Sequence, residues 1–275
     1  MKHTIERLRK LIDEADAILI GAGSGLSSAA SFEYGGETFL KNFPWMHDRY
    51  GYEDMYSAGF HHFKTSEEKW AFWSKFIYLE RYQSGAKPIY KKLLQIVEEK
   101  NYFVITTNVD HQFQLAGFNK SRLFYTQGDY GLFQCSTPCH NETYDNREQI
   151  LKILQSIEKN KVKKELIPHC PRCGKEMSVN LRCDNTFVED KGWNDAQKRY
   201  LKFIEENRNK KMLFLELGIG MNTPMIIKIP FIKMTYQFKD AFYVPINIEE
   251  SYLPKEIENK SFPIEEDLSQ IIEVL

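Results

Sequence analysis

Three sets of residues in this chain have the types and spacings that chemistry needs. In TTNVD, Thr106 to Asp110, Asn108 can hold a hydroxyl or orient a water, and Asp110 can accept from a carboxamide N–H and stabilise developing positive charge. In GAGSG, Gly21 to Gly25, the glycines let the backbone approach a pyrophosphate while N–H groups at a helix start face the anion. Cys135 with Cys139, and Cys170 with Cys173 in CPRCG, supply four thiolates of the kind that close a tetrahedral structural zinc site. Each set has a plainer alternative: an Asx turn capping a helix, a tight turn without a ligand, and unligated thiols. A fourth feature is a deficit. Gln127-Gly128 stands shortly before Cys135, and glutamine hydrogen-bonds but takes no proton near neutral pH.

These groups must be delivered by strand ends. Ile5, Leu8, Leu11, Ile12 and Ala15 recur at helical spacing, and AILI then reads as a buried strand running into Gly21. Pro88 starts a helix with Ile89, Leu93, Ile96 and Val97 on one face, leading to the strand YFVIT that ends at Asn108 and Asp110. MLFLELGIG and AFYVPINIEE read as further strands and IEEDLSQIIEVL as a last amphipathic helix. The alternation predicts an α/β fold with a parallel sheet, whose carboxyl edge is where ligands bind. The glycine turn is irregular for a dehydrogenase, because Leu26 stands where GxGxxG needs glycine and no acid-ended second strand follows about 20 residues later.

Residues 36–85, aromatic-rich in EEKWAFWSKFIYLERYQ, and 131–207, which hold every cysteine, break the alternation and read as insertions that form a smaller helical lobe. The sheet domain is then expected from 1–35, 86–130 and 208–275, with the zinc module at 135–183. Within REQILKILQSIEKNKVKKEL, the run KNKVKKEL reads as a solvated helix face, with an acidic partner surface as the alternative. Cys183 reads as a small buried hydrophobe, His140 and His169 as exposed loop residues with substitute metal ligands as the alternative, and His61 and His62 as packing.

Across 275 residues, 27% are charged and the net charge is −1, so the chain lacks the basic field of a nucleic-acid binder. No run approaches about 18 apolar residues, so no membrane span is expected. MKHTIERLRKLIDEADAILI mixes acids and bases and does not read as a leader, and clustered, odd-numbered cysteines suit a reducing compartment. A cytoplasmic protein is expected.

The order GAG, then TTNVD followed by QLAG, then a polar glycine turn ahead of four cysteines, then GIGMNTP and INIE, resembles the sirtuin family over nearly the whole chain. The resemblance implies a Rossmann-like domain, a small zinc-bearing domain, and NAD consumed by breaking its nicotinamide–ribose bond. By the same resemblance Ala22, Gly23, Ser24, Leu26 and Ser27 match the diphosphate motif, and Thr107, Asn108 and Asp110 lie beside the nicotinamide ribose. Gly218, Ile219, Asn222, Asn247 and Glu249 match positions around the adenosine half.

Two departures stand out: Gln127-Gly128 replaces the His-Gly of ordinary deacylating sirtuins, and Ser31-Phe32-Glu33-Tyr34 replaces a Pro-Asp-Phe-Arg run, leaving Tyr34 in place of the arginine. Deacylation needs a base at the histidine, whereas loss of nicotinamide needs positioning and electrostatics. The features GAG-S-G-L and Q-G-D-Y are similar to those of class M sirtuins, which are protein mono-ADP-ribosyltransferases linked with a macrodomain hydrolase and acting on a lipoyl carrier like the glycine-cleavage H protein. The resemblance implies that Asn108 positions ribose or nucleophile, Asp110 binds the nicotinamide amide, and Gln127 holds a ribose hydroxyl or the acceptor. Alternatives are an NAD-dependent deacylase using Asp129 as its base, and a module that binds NAD or ADP-ribose without chemistry.

Overall fold

The computed structural model describes residues 2–32, 34–83, 85–220, 224–248 and 253–275. Among the described residues nine strands follow in chain order: β1 (Ala17–Ala22), β2 (Tyr102–Thr106), β3 (Leu123–Tyr125), β4 (Gly128–Cys135), β5 (Tyr144–Asp145), β6 (Met177–Leu181), β7 (Met212–Leu217), β8 (Phe242–Asn247) and β9 (Ile264–Glu265). The chain divides into one unit of Met1–Ser31, Ala86–Gln127 and Lys191–Leu275, and another of Phe32–Gly85 and Gly128–Asp190.

The first unit is built on a six-stranded sheet in the order β3-β2-β1-β7-β8-β9, with every neighbouring pair parallel. Each residue of β1, β2 and β7 is buried, which is why AILI, YFVIT and MLFLEL read as unbroken apolar runs: a parallel sheet is covered on both faces. Of the five residues at helical spacing, the helix Lys2–Glu14 buries Ile5, Leu8 and Ile12, while Leu11 is half-buried and Ala15 lies past its end. The helix Pro88–Val97 buries Ile89, Tyr90, Leu93 and Val97. The strand order reverses between β1 and β7, so their carboxyl ends form the switch-point crevice where α/β sheets hold ligands.

Residues 191–207, grouped by sequence with the cysteine-bearing insertion, instead form one helix of this first unit. Its Tyr200 and Phe203 rings lie 6.0 and 5.5 Å from Phe103 of β2 and cover the sheet. An aromatic stripe of this kind gains more by burial than by solvation, and the apolar face of β2 and β3 is the surface that it covers.

In the second unit an antiparallel sheet, β5-β4-β6, packs with an aromatic-rich set of helices. The helix Ser66–Ile77 begins at the Thr65 cap and buries Trp70, Phe72 and Phe76. Trp70 meets Phe133 of β4 at 5.1 Å, and Phe72 meets Phe43 at 4.9 Å. His61 packs among Tyr50, Tyr52 and Phe63.

KNKVKKEL is not one α-helical face; only Lys164–Leu166 is helical, as a single 3-10 turn. The helix Arg147–Gln155 stops short of it, Lys159 and Asn160 take left-handed φ values of 48° and 63°, and Glu158 and Lys161 bond reciprocally across the turn. Val162 is buried and donates its N–H to the Glu67 carbonyl. Seating that one apolar side chain requires the chain to double back, which a continuing helix does not permit. Among the described residues no helix is long and apolar enough to cross a membrane.

Candidate functional site

The glycine turn leaves β1 at the crevice and lies against the end of β7. Gly23 N–H donates to the Leu217 carbonyl at 3.1 Å, Gly25 N–H to the Gly218 carbonyl at 2.9 Å, and Leu26 N–H back to Gly23 at 3.0 Å. Three of the turn's N–H groups therefore serve the fold rather than facing an anion. A Cβ on Gly25 would stand 2.7 Å from Gly218 Cα, and one on Gly23 would stand 2.9 Å from the Gly218 oxygen. The small residues are thus needed for backbone to approach backbone.

A cavity of about 450 Å³ opens beside this junction, lined by Ser24, Gly25, Ser28, Gly218, Gly220 and Asn247 among others. Asn247 donates its side-chain N–H to the Ile219 carbonyl at 3.3 Å. Ala22, Leu26 and Ile219 are buried, so their side chains are core and only their backbone can meet a ligand. Asn222 and Glu249 lie outside the described residues.

The end of β2 carries the second group. Thr107 N–H and the Thr106 hydroxyl both donate to the Ala22 carbonyl, tying this strand end to the glycine turn. Asn108 Nδ2 donates to the Gly23 carbonyl at 2.9 Å. Asp110 is 2% exposed; its Oδ2 accepts from the Ser27 hydroxyl at 2.7 Å and the Tyr90 hydroxyl at 3.2 Å, and its Oδ1 from Gln112 N–H at 3.0 Å. Two hydroxyls and a backbone N–H satisfy a carboxylate without neutralising it. Burial, and then the Asp110 charge, push the Tyr90 phenol well above its usual range and keep it a donor.

Gln127 follows Thr126, whose N–H and hydroxyl both bond the Thr106 carbonyl, so it departs from the same sheet edge as Asn108. It is half-buried, and its side-chain amide makes no hydrogen bond among the described residues. Tyr34 belongs to the second unit, where its ring meets Phe76 edge-on at 6.1 Å. Asp129, considered above as a substitute base, is held in that unit by a buried ion pair with Arg81 at 3.0 Å and by Gly131 N–H at 2.7 Å.

The four predicted cysteines converge, with all ligand sulfurs within 4.8 Å of one another. The pairs Cys135–Cys173 and Cys139–Cys170 stand 3.6 and 3.7 Å apart, against an edge of about 3.8 Å for a tetrahedron with zinc–sulfur bonds of about 2.3 Å. The site fits zinc, and with four protein ligands it is closed and structural. Gly174, at φ +71°, lets the knuckle turn so that its N–H meets the Cys170 carbonyl. Burial resists charge on Cys170, yet N–H groups of Cys173 and Arg172 aimed at its sulfur help to bring its pKa down to about 7.

Two further residues of this unit depart from expectation. Cys183 is exposed rather than buried. The His140 side chain is only 4% exposed, its Nδ1 lying 3.0 Å from Cys139 Sγ and its Nε2 2.7 Å from the Tyr144 hydroxyl. Adjacent polar residues in a sequence do not disclose which of them folds under a neighbour.

Tyr90 and Trp193 escape a reading by spacing. Tyr90 sits on a helix face that periodicity assigns to the core, and its hydroxyl gains meaning only from Asp110. Trp193 donates its indole N–H to the Thr126 carbonyl and so braces the turn that carries Gln127.

No protein-family model matches the chain. A curated relative, the "Protein ADP-ribosyltransferase" of Staphylococcus aureus, is 39% identical over 268 residues, covering 97% of this chain and 85% of its own. The "Probable bifunctional ADP-ribose hydrolase/ADP-ribosyltransferase" of Fusarium oxysporum is 29% identical over 236 residues, covering 81% of this chain but only 38% of that longer protein. Solved structures share the fold at low identity. Sir2Tm bound to a propionylated peptide superposes with a TM-score of 0.64 at 16% identity, over 98% of this chain and 96% of its own. A Sir2 structure with a p53 peptide and NAD+ gives 0.58 at 15% identity over the same shares.

Proposed function

The chain belongs to the sirtuin-type protein ADP-ribosyltransferases, and from that premise we propose that it takes NAD as substrate and transfers a single ADP-ribosyl group to a side chain of a partner protein. The observation that carries this proposal is the Asn108–Asp110 pair, held at the sheet edge by Gly23, Ser27 and Tyr90 beside the glycine-lined cavity. In the reaction the bond from the nicotinamide nitrogen to ribose C1′ breaks, and nicotinamide leaves with the bonding pair as a neutral base. The acceptor's nucleophile forms the new bond to C1′ and loses its proton. A leaving group of this kind needs no general acid, so the site's task is to orient the dinucleotide and to stabilise cationic character on the ribose. The buried Asp110 carboxylate supplies negative charge there, Asn108 holds a ribose hydroxyl, and Gln127 contributes a hydrogen bond without basicity.

Deacylation with Asp129 as base is the weaker proposal, because that carboxylate already neutralises Arg81. The four cysteines would hold zinc to fix the fold around β4 and β6, without an open position for chemistry. A class M assignment, with a lipoyl carrier like the glycine-cleavage H protein as acceptor, is supported by the GAG-S-G-L and Q-G-D-Y resemblance. A functional link to an ADP-ribose hydrolase is supported by the Fusarium relative, whose name joins both activities in one chain.

The test is incubation with NAD labelled in its ADP-ribose part, offering lipoylated carrier, unmodified carrier and an acyl-lysine peptide. Nicotinamide release with label on the carrier is expected. Acyl-ADP-ribose formation with no labelled protein would establish the deacylase instead.

A further inference from the structure

Tyr90 lies in the first turn of the helix Pro88–Val97, fully buried, its ring edge-on to Phe113 at 5.0 Å. Its hydroxyl meets Asp110 Oδ2 at 3.2 Å, Asn108 Nδ2 at 3.4 Å and Ser27 Oγ at 3.5 Å. A phenol has one proton to give, and the carboxylate, which only accepts, takes it. The phenol oxygen then accepts from Asn108. The two N–H bonds of that amide are thereby both assigned, one to the Gly23 carbonyl at 2.9 Å and one to Tyr90. Turning the amide over would set its oxygen against the Gly23 oxygen and forfeit both bonds.

We propose that Tyr90 is a positioning residue that locks the Asn108 amide with its carbonyl oxygen as the face offered to substrate, so that Asn108 acts as an acceptor for a hydroxyl of the nicotinamide ribose. The proposal rests on NAD being the substrate. Orientation follows from a relay: Asp110 orients the phenol, the phenol and Gly23 orient the amide, and the amide selects a donor. The preference for a hydroxyl over a carbonyl at this point of the ligand is thus set by a residue that touches no substrate.

The conservative variant Tyr90→Phe keeps the ring and its contact with Phe113 while removing the relay. Nicotinamide release from NAD is expected to fall about 10-fold in kcat, with KM for NAD moving less than about 3-fold, since a freed amide samples the wrong face without emptying the cavity. In 15N-labelled wild-type protein, both Asn108 side-chain N–H protons, assigned by their loss in Asn108→Ala, are expected to exchange slowly with solvent. In Tyr90→Phe one of them exchanges fast. Wild-type kcat in Tyr90→Phe would overturn the proposal, and so would fast exchange of both protons in the wild type, a result that does not depend on the variant folding. Should wild-type protein release no nicotinamide, the NAD reaction fails and the role of Tyr90 in it falls too. Release by the wild type with an undiminished Tyr90→Phe rejects Tyr90 alone.

Discussion

Gly218→Ala offers a test of how the cavity is built. Gly218 has φ +63°, and a Cβ there would stand 2.6 Å from both Cα and C of Gly25 and 2.7 Å from Leu26 N. All three neighbours are backbone and cannot swing away as a side-chain end could. The left-handed conformation costs an L residue about 1–2 kcal/mol, and forced overpacking typically adds about 1–3 kcal/mol. The sum, about 2–5 kcal/mol, corresponds to a fall in Tm of roughly 4–10 °C for a protein of this size. Because the strain is relieved only by parting the glycine turn from β7, affinity for NAD should fall by about 10-fold or more. Gly220→Ala is the control: a Cβ there meets nothing within 4 Å, although Gly220 lines the same cavity. Differential scanning fluorimetry and calorimetric titration with NAD would read both variants. A Gly218→Ala protein that melts and binds like wild type would refute the close-approach argument, and equal losses in both variants would show that the effect is not steric.

Other perturbations probe the remaining charged groups and the metal centre. Lys228→Met removes the cation from a buried cluster in which Glu216 also accepts from Tyr243, and it should cost roughly 3–5 kcal/mol. Burial raises the Glu216 carboxyl above its usual range against the pull of Lys228, so the native state holds that proton more tightly than the unfolded chain does. That contribution is full below the unfolded carboxyl value and is lost as pH rises, and without Lys228 the loss should be larger; melting at pH 8 should drop more than at pH 5, and a pH-independent drop would refute this. Asp129→Asn leaves Arg81 buried without its partner and should destabilise by roughly 3 kcal/mol, whereas unchanged melting with lost acyl turnover would restore Asp129 as a base. Zinc affinity should weaken steadily as pH is lowered, because all four thiols must lose their protons to bind the metal, with protease sensitivity appearing within 128–190 as metal leaves; an affinity independent of pH would contradict the assignment.

Much of the fold can be read in the sequence because the features concerned are local. AILI and YFVIT are unbroken apolar runs since both faces of a parallel sheet are covered, and the CPRCG knuckle carries its own turn chemistry. Asn108 and Asp110 can be placed because they follow directly on a strand. Where such reading fails, the deciding contact is distant in the chain. A lysine-rich run turns back to seat Val162 under Glu67, and His140 folds in beside Cys139 against Tyr144.

By itself the sequence determined which groups are present: an amide and a carboxylate at one strand end, a glutamine where a base would serve deacylation, and four thiols in two pairs. Tertiary structure alone decided how they are held. Ser27 reaches Asp110 across 83 positions of chain, Tyr90 across 20, and Gly25 finds Gly218 at the reversal of the strand order. Hydrogen-bond direction and close backbone approach depend on separations of a few tenths of an ångström between residues far apart in sequence, which neither periodicity nor motif spacing encodes.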